Sequence, residues 1–128
     1  MKFSHENLTV YQRSIAFVAW SQTLLEPLPV RLSARDQLDR ASTSIPLNIA
    51  EGNAKSSNKD RARFWQIALG STVECAAVLD VLVARRLATA QDVIVGKELL
   101  YEIASMLMAL LRNLGTRVAG GEWVAEED

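Results

Sequence analysis

The stretch RASTSIPLNIAEG, Arg40 to Gly52, constrains this chain more than any other. It carries helical periodicity with a proline inside it and a glycine at its end. With Ser33 as N-cap and about 100° per residue, Ala34, Leu38, Ala41, Ile45 and Ile49 fall within roughly 80° of one another. They predict a stripe facing a core. Gln37, Arg40, Ser44, Asn48 and Glu51 form a polar stripe along its margin. Pro46 lacks the N–H that the Ser42 carbonyl would accept from, so a kink is expected there. Ser42 and Ser44 are placed to satisfy the freed backbone groups. Gly52 is expected at the left-handed position that stops a helix.

Two readings of the polar stripe stay open. It is a solvated face, or it is a hydrogen-bonded seam to a neighbouring helix or subunit. In the second case Arg40 donates, Ser44 and Asn48 donate and accept, and Glu51 accepts.

The segment QLDRASTSIPLNIAEG, the polar loop after it, KDRARFWQIALGSTVE and a last apolar helix resemble a known family. It is that of the four-helix-bundle proteins encoded in intervening sequences of bacterial 23S rRNA genes. The accessory variability determinants of diversity-generating retroelements resemble the same family. The similarity runs from about Phe3 to Val118. It implies an antiparallel up-down-up-down four-helix bundle that assembles as a ring, typically a pentamer, and it implies no enzyme activity. In the retroelement branch it implies binding of nucleic acid and of a reverse transcriptase through a strongly basic surface.

The formal net charge of −1 departs from that basic pattern. It also argues against a generic binder of polyanions. The charge is uneven, because Glu122, Glu126, Glu127 and Asp128 crowd the last seven residues. Residues 1–121 are therefore read as one bundle domain and 122–128 as an acidic tail, within which Trp123 has no assigned role. A single cysteine, Cys75, excludes an intrachain disulfide and a multi-cysteine metal site. It is read as a small core residue. The lone histidine, His5, lies in an N-terminal arm where Phe3 is expected to anchor. No secretory signal is seen, and no uncharged stretch is long enough to span a membrane, which predicts a cytoplasmic protein.

Four helices are expected, at about 7–26, 34–51, 58–87 and 90–118. In the first, Leu8, Tyr11, Ile15, Val18 and Leu25 are read as the core face. Val10, Phe17, Trp20 and Leu24 then form a second apolar face that a single bundle would leave wet, and self-association is the expected cover. The third helix begins at Ser57 as N-cap. Its stripe Phe64, Ile67, Ser71, Cys75, Val78 and Leu82 is read as inner, and Trp65 and Leu69 as part of an interface. Gly70 and Ser71 are expected where another helix comes close. Thr89 caps the fourth helix, whose core stripe is Val93, Leu100, Ile103, Leu107, Leu110 and Leu114.

Lys55, Lys59, Arg61 and Arg63 gather at the start of the third helix, where backbone N–H groups also favour anions. They are the candidate nucleic-acid or anion site, against the plainer reading of a solvated helix start. Gly-rich phosphate loops, CxxC pairs, HExxH and Glu-x-x-His motifs are all missing, and no Ser-His-Asp pattern is recognisable. No cofactor or metal is expected. The reading is a non-enzymatic oligomeric scaffold whose partners are its own copies, and RNA, DNA or a nucleic-acid enzyme. The alternative is a purely structural or protein-binding bundle with no nucleic-acid role.

Overall fold

The computed structural model describes residues 1–116, and these are all helix, turn and loop with no strand among them. A short 3-10 turn, Ser4–Asn7, precedes α1 (Thr9–Leu25), α2 (Ser33–Ala54), α3 (Asn58–Ala84) and α4 (Ile94–Asn113). Each long helix packs on two others: α2 on α1 and α3, and α4 on α1 and α3. The α2–α3 contact is the most extensive. A core of Phe17, Leu38, Ile45, Ile49, Leu79, Leu82, Ile103, Leu107 and Leu111 lies between them, shut off from solvent.

The stripe of α2 packs as its periodicity predicts, with Ala34, Leu38, Ala41, Ile45 and Ile49 all buried. Its ends differ from expectation. Leu32, not Ser33, is the N-cap residue, and it makes no side-chain capping bond. The helix runs on past Gly52 to Ala54. Gly52 is buried in the last turns, and its role is steric. A Cβ there would sit 2.5 Å from Trp65 Cδ1 and 2.6 Å from Trp65 Nε1. The missing side chain lets the indole of α3 lie against the backbone of α2, where Trp65 Nε1 donates to the Ile49 carbonyl (3.2 Å). The same device recurs between α1 and α4, where a Cβ on Gly96 would meet the Trp20 ring at 2.2 Å. Pro46 lies buried within one continuous helix, and the hydroxyl of Ser42 donates back to the Asp39 carbonyl (3.0 Å).

The two faces of α1 are exchanged relative to the expectation. Val10 (3% exposed) and Phe17 (0%) are core residues of the single chain, and Trp20 and Leu24 pack against that core. Ile15, read as core, is 43% exposed. The buried stripe is Val10, Ser14, Phe17, Ser21 and Leu25. Two serines disguise it as polar. Each satisfies its hydroxyl within its own helix, Ser14 Oγ to the Tyr11 carbonyl (2.6 Å) and Ser21 Oγ to the Val18 carbonyl (2.8 Å). A hydroxyl bonded in this way enters a core without an unmet polar group.

The same one-residue displacement occurs at the start of α3. Trp65 is buried (4% exposed) and Leu69 packs on the core, whereas Ile67 is 47% exposed. The buried stripe is Ala62, Trp65, Ala68, Thr72, Cys75, Val78, Leu79 and Leu82. Of the six residues assigned to an interface, Val10, Phe17 and Trp65 are thus buried within one chain, and Trp20, Leu24 and Leu69 pack partly buried against its core. Gly70 has nothing within 4 Å of its would-be Cβ, and of the close approach expected at Gly70 and Ser71 only the Ser71 contact with Ser44 of α2 is made within the chain.

Ser57 caps α3 as predicted, its Oγ accepting from the Asp60 N–H (3.1 Å). Past Ala84, Arg86 adopts the left-handed conformation (φ 61°) that closes the helix. Thr89 and Asp92 form a reciprocal pair, Thr89 N–H to Asp92 Oδ2 (2.8 Å) and Asp92 N–H to Thr89 Oγ1 (3.0 Å). That pair shapes a turn, and α4 proper starts only at Ile94. Phe3 does not anchor the arm in the core; it is exposed and stacks on His5, which in turn meets Tyr11 edge-on. The expected end of the fourth helix at 118, together with the acidic tail and Trp123, lies outside the described residues.

Candidate interaction surfaces

The polar stripe on α2 divides into three local units. Arg40 pairs with Asp36 one turn back (3.1 Å), and Glu51 pairs with Lys55 one turn on (3.4 Å). Both are solvent-exposed i,i+4 pairs of small energetic weight. Between them, Asn48 Nδ2 donates to the Ser44 carbonyl (2.9 Å) and to Ser44 Oγ (3.0 Å). Ser71 Oγ of α3 donates to Ser44 Oγ (2.9 Å). Ser44 and Asn48 thus belong to a hydrogen-bonded seam between α2 and α3 of one chain, while Arg40 and Glu51 flank it without bonding to it.

The four bases at the start of α3 also divide. Arg61 Nε donates to the Lys55 carbonyl (2.7 Å), tying down the end of α2. Lys55, besides its bond to Glu51, lies 5.1 Å from the Phe64 ring centroid, and Arg63 covers the same ring at 4.8 Å. Phe64, half-buried, is therefore shared by two cations. Lys59 and Arg63 face a shallow surface pocket with Asp60, Ala62, Gln66 and Thr116. Gln66 and Thr116 were not singled out from sequence. They lie 50 residues apart, so only the packing of α4 beside α3 brings them together.

A third surface was missed. Between α3 and α4 runs an apolar trough of about 350 Å³ lined by Thr72, Val73, Ala76, Lys97, Leu100, Tyr101 and Ala104. Lys97 pairs with Asp80 at its margin. The apolar exposure continues along α3 at Ile67 and Val81 and along α4 at Ile94 and Val95. By length and composition α3 is apolar enough to cross a membrane, yet only a third of its most apolar window is buried in the fold. Of these outer residues, Ile67 was singled out in sequence but assigned inward.

Cys75 is buried, and burial pushes its thiol up to about 12, with the neighbouring Glu74 carboxylate adding to the effect. A thiol held protonated is a poor nucleophile. Among the described residues no group of three or more His, Cys, Asp or Glu side chains is placed to hold a metal ion. What the chain exposes are surfaces: a cationic pocket at one end of α3 and an apolar trough along its side.

The class defined by these observations is an all-helical protein of four packed helices. The chain belongs to the family of 23S rRNA-intervening sequence proteins, whose family model matches residues 6–109. The match spans α1, α2, α3 and most of α4. Among solved structures, the fold is similar to a protein of unknown function from the S23 ribosomal protein family of Bacteroides thetaiotaomicron. The two are 22% identical, with a TM-score of 0.75, over 81% of this chain and 99% of that one. No curated protein matches the chain.

Proposed function

We propose that this protein is a non-enzymatic scaffold: an up-down-up-down bundle that assembles with its own copies into a ring. The observation that carries the reading is the uncovered apolar side of α3, with Ile67, Val73 and Val81 exposed beside the trough that Tyr101 and Leu100 of α4 help to line. The antiparallel course is supported by pairings whose numbers run in opposite directions. Ser44 meets Ser71 and Ile49 meets Trp65; Arg13 meets Glu102 and Trp20 meets Gly96.

Burying the exposed half of a valine or isoleucine contributes about 1 kcal/mol. Several such residues, repeated around a ring, offset an association cost of several kcal/mol per subunit. The interface differs from the one expected from sequence. It uses Val73, Val81 and Tyr101, while Phe17 and Trp65 stay inside the subunit. Gly70, open in the single chain, is free to meet a second copy. A pentamer is the stoichiometry implied by the family resemblance, and a cytoplasmic location goes with it.

Light scattering tests the reading. The expected mass is several times 14.1 kDa at micromolar concentration. A Val73→Glu variant is expected to run as a folded monomer, with the wild-type helical circular dichroism. A wild-type mass of 14.1 kDa would refute the assembly.

A second reading adds a phosphate-bearing partner, RNA, at the pocket of Lys59 and Arg63. It is supported by two cations one turn apart at the first turns of α3, with Gln66 as an uncharged donor beside them. Fluorescence anisotropy with structured RNA across a salt series tests it. Affinity should fall steeply with salt and drop when Lys59 and Arg63 become alanine. Absence of binding at low salt leaves the scaffold without a nucleic-acid role.

A further inference from the structure

Leu47 stands 63% exposed in the interior of α2, the most exposed large apolar side chain on the four long helices among the described residues. Arg40, Thr43 and Leu47 recur at helical spacing along one outer row, away from the buried stripe of α2. The row begins in charge, where Arg40 pairs with Asp36 (3.1 Å). Thr43 follows, its hydroxyl already donating to the Asp39 carbonyl (2.8 Å). The row then reaches the leucine.

The trough between α3 and α4 shows the same order. At its margin Asp80 pairs with Lys97. Val73 stands seven residues from Asp80 on α3, and Ala104 seven residues from Lys97 on α4, with Ala76 and Tyr101 between. Seven residues also separate Arg40 from Leu47. Both surfaces therefore run from an exposed ion pair to an apolar contact over about 10.5 Å of helix. The Thr72 hydroxyl in the trough is bonded within its own helix, to the Ala68 carbonyl (2.8 Å). Because α2 packs on α1 and α3 but not on α4, the row and the trough lie on different sides of the subunit.

We infer that the α2 row of one copy seats in the α3–α4 trough of the next. Leu47 lies against Val73 and Ala104, Thr43 lies over Ala76, and the Asp36–Arg40 pair is laid head to tail on Asp80–Lys97. The four charges then alternate across the contact, Arg40 beside Asp80 and Asp36 beside Lys97. Isolated exposed pairs add little to affinity, but complementary charges fix register and partner. The seating covers the exposed leucine and the open trough with each other. A contact between two unlike patches is heterologous, so each copy uses both its row and its trough, and such contacts close into a ring when the rotation permits. The inference rests on the self-assembly reading above and adds which face of a copy covers the trough.

The test mixes two broken copies. Leu47→Glu spoils the row and keeps the trough, whereas Val73→Glu spoils the trough and keeps the row. Each variant alone is expected at 14.1 kDa by light scattering, with the wild-type helical circular dichroism. Mixed in equal amounts at several hundred micromolar, they still offer one intact row and one intact trough per pair, and a mass of twice 14.1 kDa is expected. A second arm uses the double variant Leu47→Cys and Ala104→Cys. Mild oxidation should give it a ladder of covalent multimers on a denaturing gel, where either single variant stops at the dimer. A wild-type chain that is itself monomeric would sink the assembly reading and this seating with it. An assembled wild type whose Leu47→Glu variant still assembles would overturn the seating and leave the assembly standing. Variants that stay monomeric when mixed, with no ladder beyond the dimer, would also overturn the seating.

Discussion

Gly52→Ala sets two opposing effects against each other. Alanine is the better helix former by about 1 kcal/mol, so in an open helix the substitution stabilises. Here the new Cβ would stand 2.5 Å from Trp65 Cδ1 and 3.2 Å from the Arg61 carbonyl oxygen. Contacts that short force either the indole or the helix pair to move, and overpacking of this kind costs about 1–3 kcal/mol. Displacing the indole also weakens its bond to the Ile49 carbonyl, and a buried N–H left unpaired costs a further 1–3 kcal/mol or so. The steric terms win, and a net destabilisation of about 2 kcal/mol is expected. For a domain of this size that is a fall in Tm of roughly 6–10 °C.

Gly70 is the internal control. It lies on the same pair of helices with nothing within 4 Å in the single chain, so Gly70→Ala in the monomeric Val73→Glu background should show the propensity effect alone and stabilise by about 1 kcal/mol. Urea unfolding followed by circular dichroism measures both. A double-mutant cycle with Trp65→Phe should recover at least 0.5 kcal/mol or so of the Gly52→Ala loss, since residues in contact couple. If Gly52→Ala matches or exceeds wild-type stability, the close approach of Trp65 to α2 is not what the glycine is for.

Ser44→Ala removes the acceptor for both Asn48 and Ser71 and should cost about 1 kcal/mol in urea unfolding; an unchanged midpoint would mean the seam is solvated. The Cys75 thiol should resist alkylation by iodoacetamide at pH 8 in the native protein and react only in denaturant, since it is buried with its ionisation pushed up to about 12. Rapid native labelling would contradict that burial. The Asp92 carboxyl is held below the ordinary aspartate range by the Thr89 backbone N–H and then by the Thr89 hydroxyl. Its contribution is present above the unfolded value near 4, about where aspartate ordinarily titrates, and is lost as pH falls through the lower folded value. A carboxyl-detected NMR titration should place Asp92 below that range and move it upward in Thr89→Ala; an ordinary value in wild type would remove the reciprocal cap.

Much of the candidate surface was legible one residue at a time, but not its partition. Lys59 and Arg63 stood out from charge alone. That Arg61 closes on the Lys55 carbonyl, and that Lys55 leans on Phe64, depends on how the turn between α2 and α3 folds back. Ser44 and Asn48 were marked as a seam, whereas the partner of Ser44, Ser71, comes from the packing of α3 beside α2. The trough between α3 and α4 was hidden because Val73 and Tyr101 sit 28 residues apart and neither is unusual in its own helix.

Periodicity and the cap at Ser57 were enough to determine from sequence four helices, their approximate bounds and the inward stripe of α2, and the motif around Pro46 carried the resemblance to the family. These are local properties, written within a few turns of chain. Which side of α1 and α3 faces inward was not local. Both helices carry two apolar faces, and the true inner faces are interrupted by Ser14, Ser21 and Thr72, whose hydroxyls bond to their own helix and so tolerate burial. Volume decided the choice: Trp20 and Trp65 pack only where Gly96 and Gly52 leave room on the opposite helix. That pairing of a large side chain with a missing one, across 76 residues in one case and 13 in the other, exists only in the tertiary structure.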